Sequence, residues 1–175
     1  MMVFIKESVM QHEPSESDLL ANLRLQSLSS LRQAIEQSGF VVSMTCTHPV
    51  MLHTAGLADK GKPELMVFGM PQDQANTALH LLIGFAFAGR VRLEPGPVQV
   101  EEAGLSVWLR PLRTGREKLM TLACENALGR AFPALQVVLP DALGRFEGDP
   151  ECDPAIVAAQ SDETLSRIER QLPTH

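Results

Sequence analysis

The sequence predicts an α+β fold, a single domain with a mostly antiparallel sheet of about six strands and three main helices. Three observations carry that expectation. Short runs rich in Val, Leu and Phe are separated by compact turn signals, the spacing that hairpins need. Longer segments repeat apolar residues at helical intervals. The elements follow the order α-β-β-β-α-β-β-β-α-β, which groups strands together and disfavours a doubly wound parallel sheet. At 175 residues, 45% of them hydrophobic and 21% charged, the chain has the size and balance of one globular core.

Residues 1–14 read as an N-terminal segment, residues 15–150 as the α+β domain and residues 151–175 as a C-terminal arm. Ser15 to Ser38 is the first predicted helix: Ser15 and Asp18 stand at capping-box spacing, Leu20, Leu23, Leu28, Leu31 and Ile35 form one apolar face, and Gly39 ends it. Phe40–Thr45, Val50–Leu57 and Glu64–Met70 read as strands. The polar turn Ala58–Lys62 joins the last two into a hairpin.

Pro71 opens a second helix, with Asp73 in its first turn, where a negative charge favours the helix dipole. Ala75, Leu79, Leu82, Ile83 and Ala86 supply its core face, His80 lies near that face, and Gly89 stops it. Val91–Leu93 reads as a short strand. After the turn Pro95-Gly96-Pro97, Val98 and Val100 pair with Leu105–Leu109, and Trp108 within that run is expected in the core. Thr114 and Glu117 cap a third helix to about Leu128, and Ala134–Pro140 is the closing strand before the turn Asp141-Ala142-Leu143-Gly144. In the acidic, Pro-containing remainder, Asp162–Leu172 is the one stretch with helical character.

Charge and cysteine usage exclude several classes. A net charge of −6 is the wrong sign for a nucleic-acid surface, and the basic residues Arg110, Arg113, Arg116 and Lys118 read as a solvated edge. Cys46, Cys124 and Cys152 are widely spaced and odd in number, which fits reduced thiols rather than a disulfide framework. The first residues carry no basic n-region or small-residue cleavage site, and no apolar run reaches the roughly 20 residues that span a bilayer. A cytoplasmic location is therefore expected, without membrane or nucleic-acid partners.

The stretch His48–Pro71 concentrates the groups able to do chemistry. His53 and Thr54 offer donors and acceptors, Gly56 permits close backbone approach, and Glu64 is expected across the loop from Gly56 and Leu57, either lining a pocket or pairing with Lys60 or Lys62. Cys46, His48 and His53 are metal-ligating types, but no fourth ligand stands at a recognisable spacing, so no metal is assigned. Asp141 and Glu147 near Arg145 could form an acid–base group or simply a turn with a surface ion pair. The chain holds no GxSxG, GxxxxGK[ST] or GxGxxG pattern.

The run PxxxHTxGL (residues 49–57), followed by PELMVFGMP (63–71), LEPGP (93–97) and ALQVVLPDALGRF (134–146), resembles the bacterial family catalogued as domain of unknown function 4262. The resemblance covers about residues 39–150 and rests on Thr54, Gly56, Leu57, Pro63, Glu64, Gly89, Pro140, Asp141 and Gly144. His53 stands where such proteins commonly carry an aromatic residue, and Glu147-Gly148 replaces an expected Pro-Trp pair. The family's name records no established activity, so the resemblance sharpens the boundaries and the candidate site but not the chemistry, and the cofactor stays unknown.

Two function classes follow. One is a non-catalytic binding or interaction domain, acting on a protein partner or on a second copy as a homodimer. The other is a small-molecule or cofactor-binding enzyme, its cofactor unspecified, with His53, Thr54, Gly56, Glu64 and Asp141 as ligand-binding candidates.

Overall fold

In a computed structural model the described residues are 29–45, 47–112 and 132–172. The N-terminal segment, the first part of the predicted first helix, Cys46, and the third predicted helix with Arg113, Arg116, Lys118 and Cys124 lie outside them.

A helix α1 covers residues 29–38. Six strands follow: β1 (Val41–Met44), β2 (Met51–Ala55), β3 (Glu64–Phe68), β4 (Gly96–Val100), β5 (Leu105–Pro111) and β6 (Ala134–Val138). Helix α2 (Gln72–Phe87) lies between β3 and β4, and two short helices, α3 (Pro154–Ala159) and α4 (Asp162–Glu169), close the chain. The sheet order is β1-β2-β3-β6-β5-β4. Every neighbouring pair is antiparallel except β3 and β6, which run parallel at the centre with Glu64 opposite Ala134 and Leu65 opposite Leu135. The fold is thus an α+β domain with a mostly antiparallel sheet.

Alternation along the strands sorts the core onto two faces. Leu52, Leu65, Val67, Val98, Val107, Leu109, Leu135 and Val137 face α2 and pack with Ala75, Ala78, Leu79, Leu82 and Ile83 of its apolar stripe. Each fully buried Leu or Ile there contributes about 1.5–3 kcal/mol of transfer free energy. The carboxyl end of α2 closes with Gly89 N–H to Ala86 C=O and Arg90 N–H to Phe85 C=O, which satisfies carbonyls the helix leaves open.

On the opposite face, Met51, Ala55, Met66 and Phe68 pack with Ile35 of α1, Phe132, and Leu165 and Ile168 of α4. Strands β2 and β3 are therefore buried on both sides, every residue of each. Strands β4 and β5 are not: Val98, Val100, Leu105, Val107 and Leu109 are buried, whereas Pro97, Gln99 and Trp108 between them are exposed.

Four expectations change. Trp108 is 44% exposed rather than core, because its strand parity is opposite to that of Val107 and Leu109. Residues 91–93 form no strand. His80 lies on the exposed side of α2, where its Nδ1 stands 2.9 Å from the Asn76 carbonyl oxygen. The expected polar turn after β2 is a 3-10 helix, Leu57–Lys60, ended by Gly61.

The C-terminal helices are seated rather than loose. Asp153 caps α3 by accepting from Ala155 N–H at 2.8 Å, and Ser161 caps α4 by accepting from Thr164 N–H. The Gln160 side-chain amide accepts from Leu139 N–H and donates to Leu139 C=O, each at 2.8 Å. Gln171 does the same to His48, at 2.8 and 2.7 Å. No helix among the described residues is long and apolar enough to cross a membrane.

Candidate functional site

The structure brings Thr54, Gly56 and Glu64 together at one end of the central strands. The β2–β3 pairing ends at His53 opposite Met66. Beyond that rung the Thr54 hydroxyl takes over, accepting from Leu65 N–H at 2.8 Å and donating to Glu64 Oε2 at 2.6 Å. The other carboxyl oxygen, Oε1, accepts from Gly56 N–H at 2.9 Å and Ala58 N–H at 3.0 Å. Those N–H groups open the 3-10 helix, where backbone donors lack partners of their own. Glu64 is wholly buried, and its carboxylate fastens the chain reversal after β2 to the start of β3.

Gly56 sits inside this fastening for a steric reason. Its φ is +107°, and a Cβ there would meet Ile35 Cγ2 at 2.8 Å and the Gly39 carbonyl oxygen at 2.9 Å. Only glycine lets the end of α1 approach so closely.

His53 is 4% exposed and shares its strand face with Met51 and Ala55, opposite to Thr54. Burial pushes its imidazole pKa down, opposed by its contact with the Thr54 carbonyl at 3.3 Å. Asp141 lies past the end of β6, whereas Glu64 begins the parallel neighbour β3, so the two occupy opposite ends of the sheet. The Asp141 carboxylate organises its own turn. Oδ1 accepts from Leu143 N–H and Arg145 N–H, both at 2.9 Å. Oδ2 accepts from Arg145 Nε at 2.9 Å and Asp153 N–H at 3.1 Å. The Arg145 N–H leads in pulling the pKa down to about 2, against the opposing effect of burial. Glu147 does not join this group; it pairs with Arg110, and Arg145 bridges Asp141 and Glu151. Cys152 is buried beside the turn, its thiol donating to the Arg145 carbonyl at 3.4 Å, and burial raises its pKa.

These shifts set an acid profile. A buried histidine whose folded pKa is depressed keeps its full stability above the unfolded value of 6.5 and loses it as pH falls below that value. Asp141 contributes fully above 3.8 and loses its contribution as pH falls toward about 2. Melting temperature measured against pH should therefore fall in two steps. His53→Phe should remove the step that begins near neutrality and Asp141→Asn the strongly acidic one.

A polar cluster that the sequence reading did not single out joins the sheet to α3. Arg110 donates from Nε and Nη2 to Gln136 Oε1, and from Nη2 to the Gln160 carbonyl, which Gln136 Nε2 also reaches at 2.9 Å. The signal was a glutamine in the apolar run ALQVV, a polar side chain that burial obliges to find partners. Among the described residues no group of three or more His, Cys, Asp or Glu could hold a metal ion, and the His48 backbone is engaged by Gln171.

One open groove lies near a predicted site residue. It has a volume of about 610 Å³ and runs between α2 and the 139–144 turn, with Leu81, Leu105 and Leu139 along it and Asp73, Thr77 and Asp141 among its polar groups.

The family model described as "Domain of unknown function (DUF4262)" matches residues 34–153, from α1 to the residue that caps α3. No curated protein and no solved structure shows a significant match to the chain. The matched region holds Thr54, Gly56, Glu64 and Asp141, the residues that fasten both ends of the central strands, and on that match the chain belongs to the DUF4262 family.

Proposed function

We propose that this chain is a non-catalytic interaction domain that works through its surface, association with a second copy included. The observation that carries this reading is where the polar and apolar groups stand. Thr54, Glu64 and Asp141 spend their oxygens on hydrogen bonds within the chain, while Met44, Phe87, Trp108 and Leu143 are 44–75% exposed. Trp108 stands with Phe146, ring centroids 6.4 Å apart, on the sheet face where β4 and β5 show exposed side chains. Apolar groups held at a surface support contact with another macromolecule.

Light scattering and sedimentation of the full chain over a wide concentration range test this. The expected result is concentration-dependent association. A monomer at every concentration that also binds no hydrophobic dye overturns the reading. The groove beside Asp141 supports a second reading, a small-molecule site, since its volume lies in the range of ligand clefts. Thermal shift across flavin, nicotinamide and metal panels tests that reading, and no shift in any of them counts against it.

A further inference from the structure

We infer that α4 is an acid-released latch: protonation of His53 on the sheet face it covers frees this helix, while α3 and the rest of the domain stay in place. The inference goes beyond the association reading and stands whether or not two copies meet. His53 lies in the middle of β2, on the face that carries Met51 and Ala55, between Ser43 of β1 and Met66 of β3. Two helices reach that face from opposite ends of β2. Ile35 of α1 closes on the Gly56 end, where a Cβ would meet its Cγ2. The carboxyl end of α4 reaches the other end, where Gln171 binds the His48 backbone in both directions. Leu165 and Ile168 of α4 are buried in the same cluster as Met51 and Met66, so α4 helps to keep water from a ring that is 4% exposed.

The charged groups of the surrounding elements are placed elsewhere. Arg32 and Glu36 of α1 are exposed, as is His48. On α4 and its end, Glu163, Arg167, Glu169 and Arg170 are exposed, and Asp162 is half-buried at the end away from Gln171. Strand β1 carries no charge, and on β3 the Glu64 carboxylate is engaged by Thr54, Gly56 and Ala58. Burial therefore dominates at His53 and lowers its pKa from 6.5, against the opposing contact with the Thr54 carbonyl. The closed form disfavours a proton that a wetted imidazole accepts. Closure is complete above 6.5 and is lost as pH falls below that value, because the open form then binds the proton.

Of the elements around His53, α4 is the one free to leave. It buries Thr164, Leu165 and Ile168, against six residues buried by α2, and no described strand or helix follows it. Helix α3, just before it, is anchored. Gln160 exchanges two hydrogen bonds with Leu139, and its carbonyl accepts from Arg110 and Gln136. Opening at Ser161 thus breaks the Gln171–His48 pair and one apolar layer and leaves those anchors made. Helix α1, by contrast, runs through Gly39 straight into β1 and is wedged against Gly56, so it cannot move without the sheet edge. Local opening draws on the elements with the fewest buried contacts.

Hydrogen exchange read by mass spectrometry on the full chain, from about pH 7.5 to about pH 5, tests the latch once rates are corrected for the intrinsic effect of pH. In wild type, residues 162–171 should open more as pH falls, by up to about tenfold per pH unit below 6.5 for uptake of one proton. Helix α2 and residues 154–160 should keep their protection. His53→Phe should open to the same extent at every pH. Gln171→Ala should raise opening by a constant factor and keep the slope, since it removes the clamp on His48 and leaves the imidazole. Should His53→Phe fail to fold by circular dichroism, His53→Leu takes its place. Opening of 162–171 that ignores pH, or that keeps its slope without the histidine, overturns the inference. Loss of protection in α2 together with α4 also overturns it, because His53 would then govern the whole fold and not a latch.

Discussion

Glu64→Ala is expected to lower the unfolding free energy by about 3–5 kcal/mol, a loss of roughly 10 °C or more in melting temperature for a chain of this size. The alanine deletes the acceptors of Gly56 N–H, Ala58 N–H and the Thr54 hydroxyl at once. The hydroxyl has a weak substitute in the Leu65 carbonyl at 3.5 Å, and Ala58 is close enough to the surface for water to reach, but Gly56 is buried. Leaving a buried donor unpaired costs about 1–3 kcal/mol. Glu64→Gln should cost much less, about 1–2 kcal/mol. Its carbonyl can still accept from both N–H groups, and its amide can donate to the Thr54 oxygen once the hydroxyl turns to Leu65. Urea denaturation of the three proteins measures the order. A Glu64→Ala protein as stable as wild type, or more stable, would mark the carboxyl as a functional group held at a cost to the fold.

Gly69→Ala is expected to be comparably severe, about 2–5 kcal/mol, and to act on the far end of the chain. Gly69 has φ +74°, and a Cβ there would overlap the Ala159 carbonyl group, whose carbon would lie 2.5 Å away. Left-handed backbone costs a side chain about 1–2 kcal/mol. The clash is with main chain rather than with the end of a flexible side chain, so α3 must move to relieve it, and overpacking of this kind adds about 1–3 kcal/mol. Movement of α3 would pull Gln160 from Leu139 and from Arg110. Limited proteolysis should therefore cut residues 146–172 faster in the variant than in wild type, alongside the fall in stability. Unchanged cleavage and unchanged stability would show that α3 is not seated on Gly69.

Much of the fold was legible because its signals are local. The stripe Ala75, Leu79, Leu82, Ile83 and Ala86 marked α2 with its buried face, and Gly89 marked its end. The pairing of β4 with β5 followed from Val98 and Val100 against Leu105–Leu109. Even the exposure of Trp108 was written in the alternation of Leu105, Val107 and Leu109; the residue type argued for the core and the parity argued against it, and parity prevailed.

The candidate site was legible as proximity and illegible as chemistry. Glu64 does stand across the loop from Gly56, but three donors within the chain converge on its carboxyl, and no spacing in the sequence announces that convergence. His53 and Thr54, adjacent in the chain, were expected to line one pocket, whereas alternation sends them to opposite faces of β2.

By itself, then, the sequence determined the six strands and the long helix with its glycine stop, because periodicity acts over a few residues. The tertiary structure alone decided that β6 slots parallel beside β3, about seventy residues earlier, and that Gln136, Arg110 and Gln160 lock α3 over that junction. It also decided which donors within the chain reach the carboxylates of Glu64 and Asp141. Those outcomes depend on which distant groups meet and whether each buried polar atom finds a partner, a matter of three-dimensional saturation rather than of local pattern.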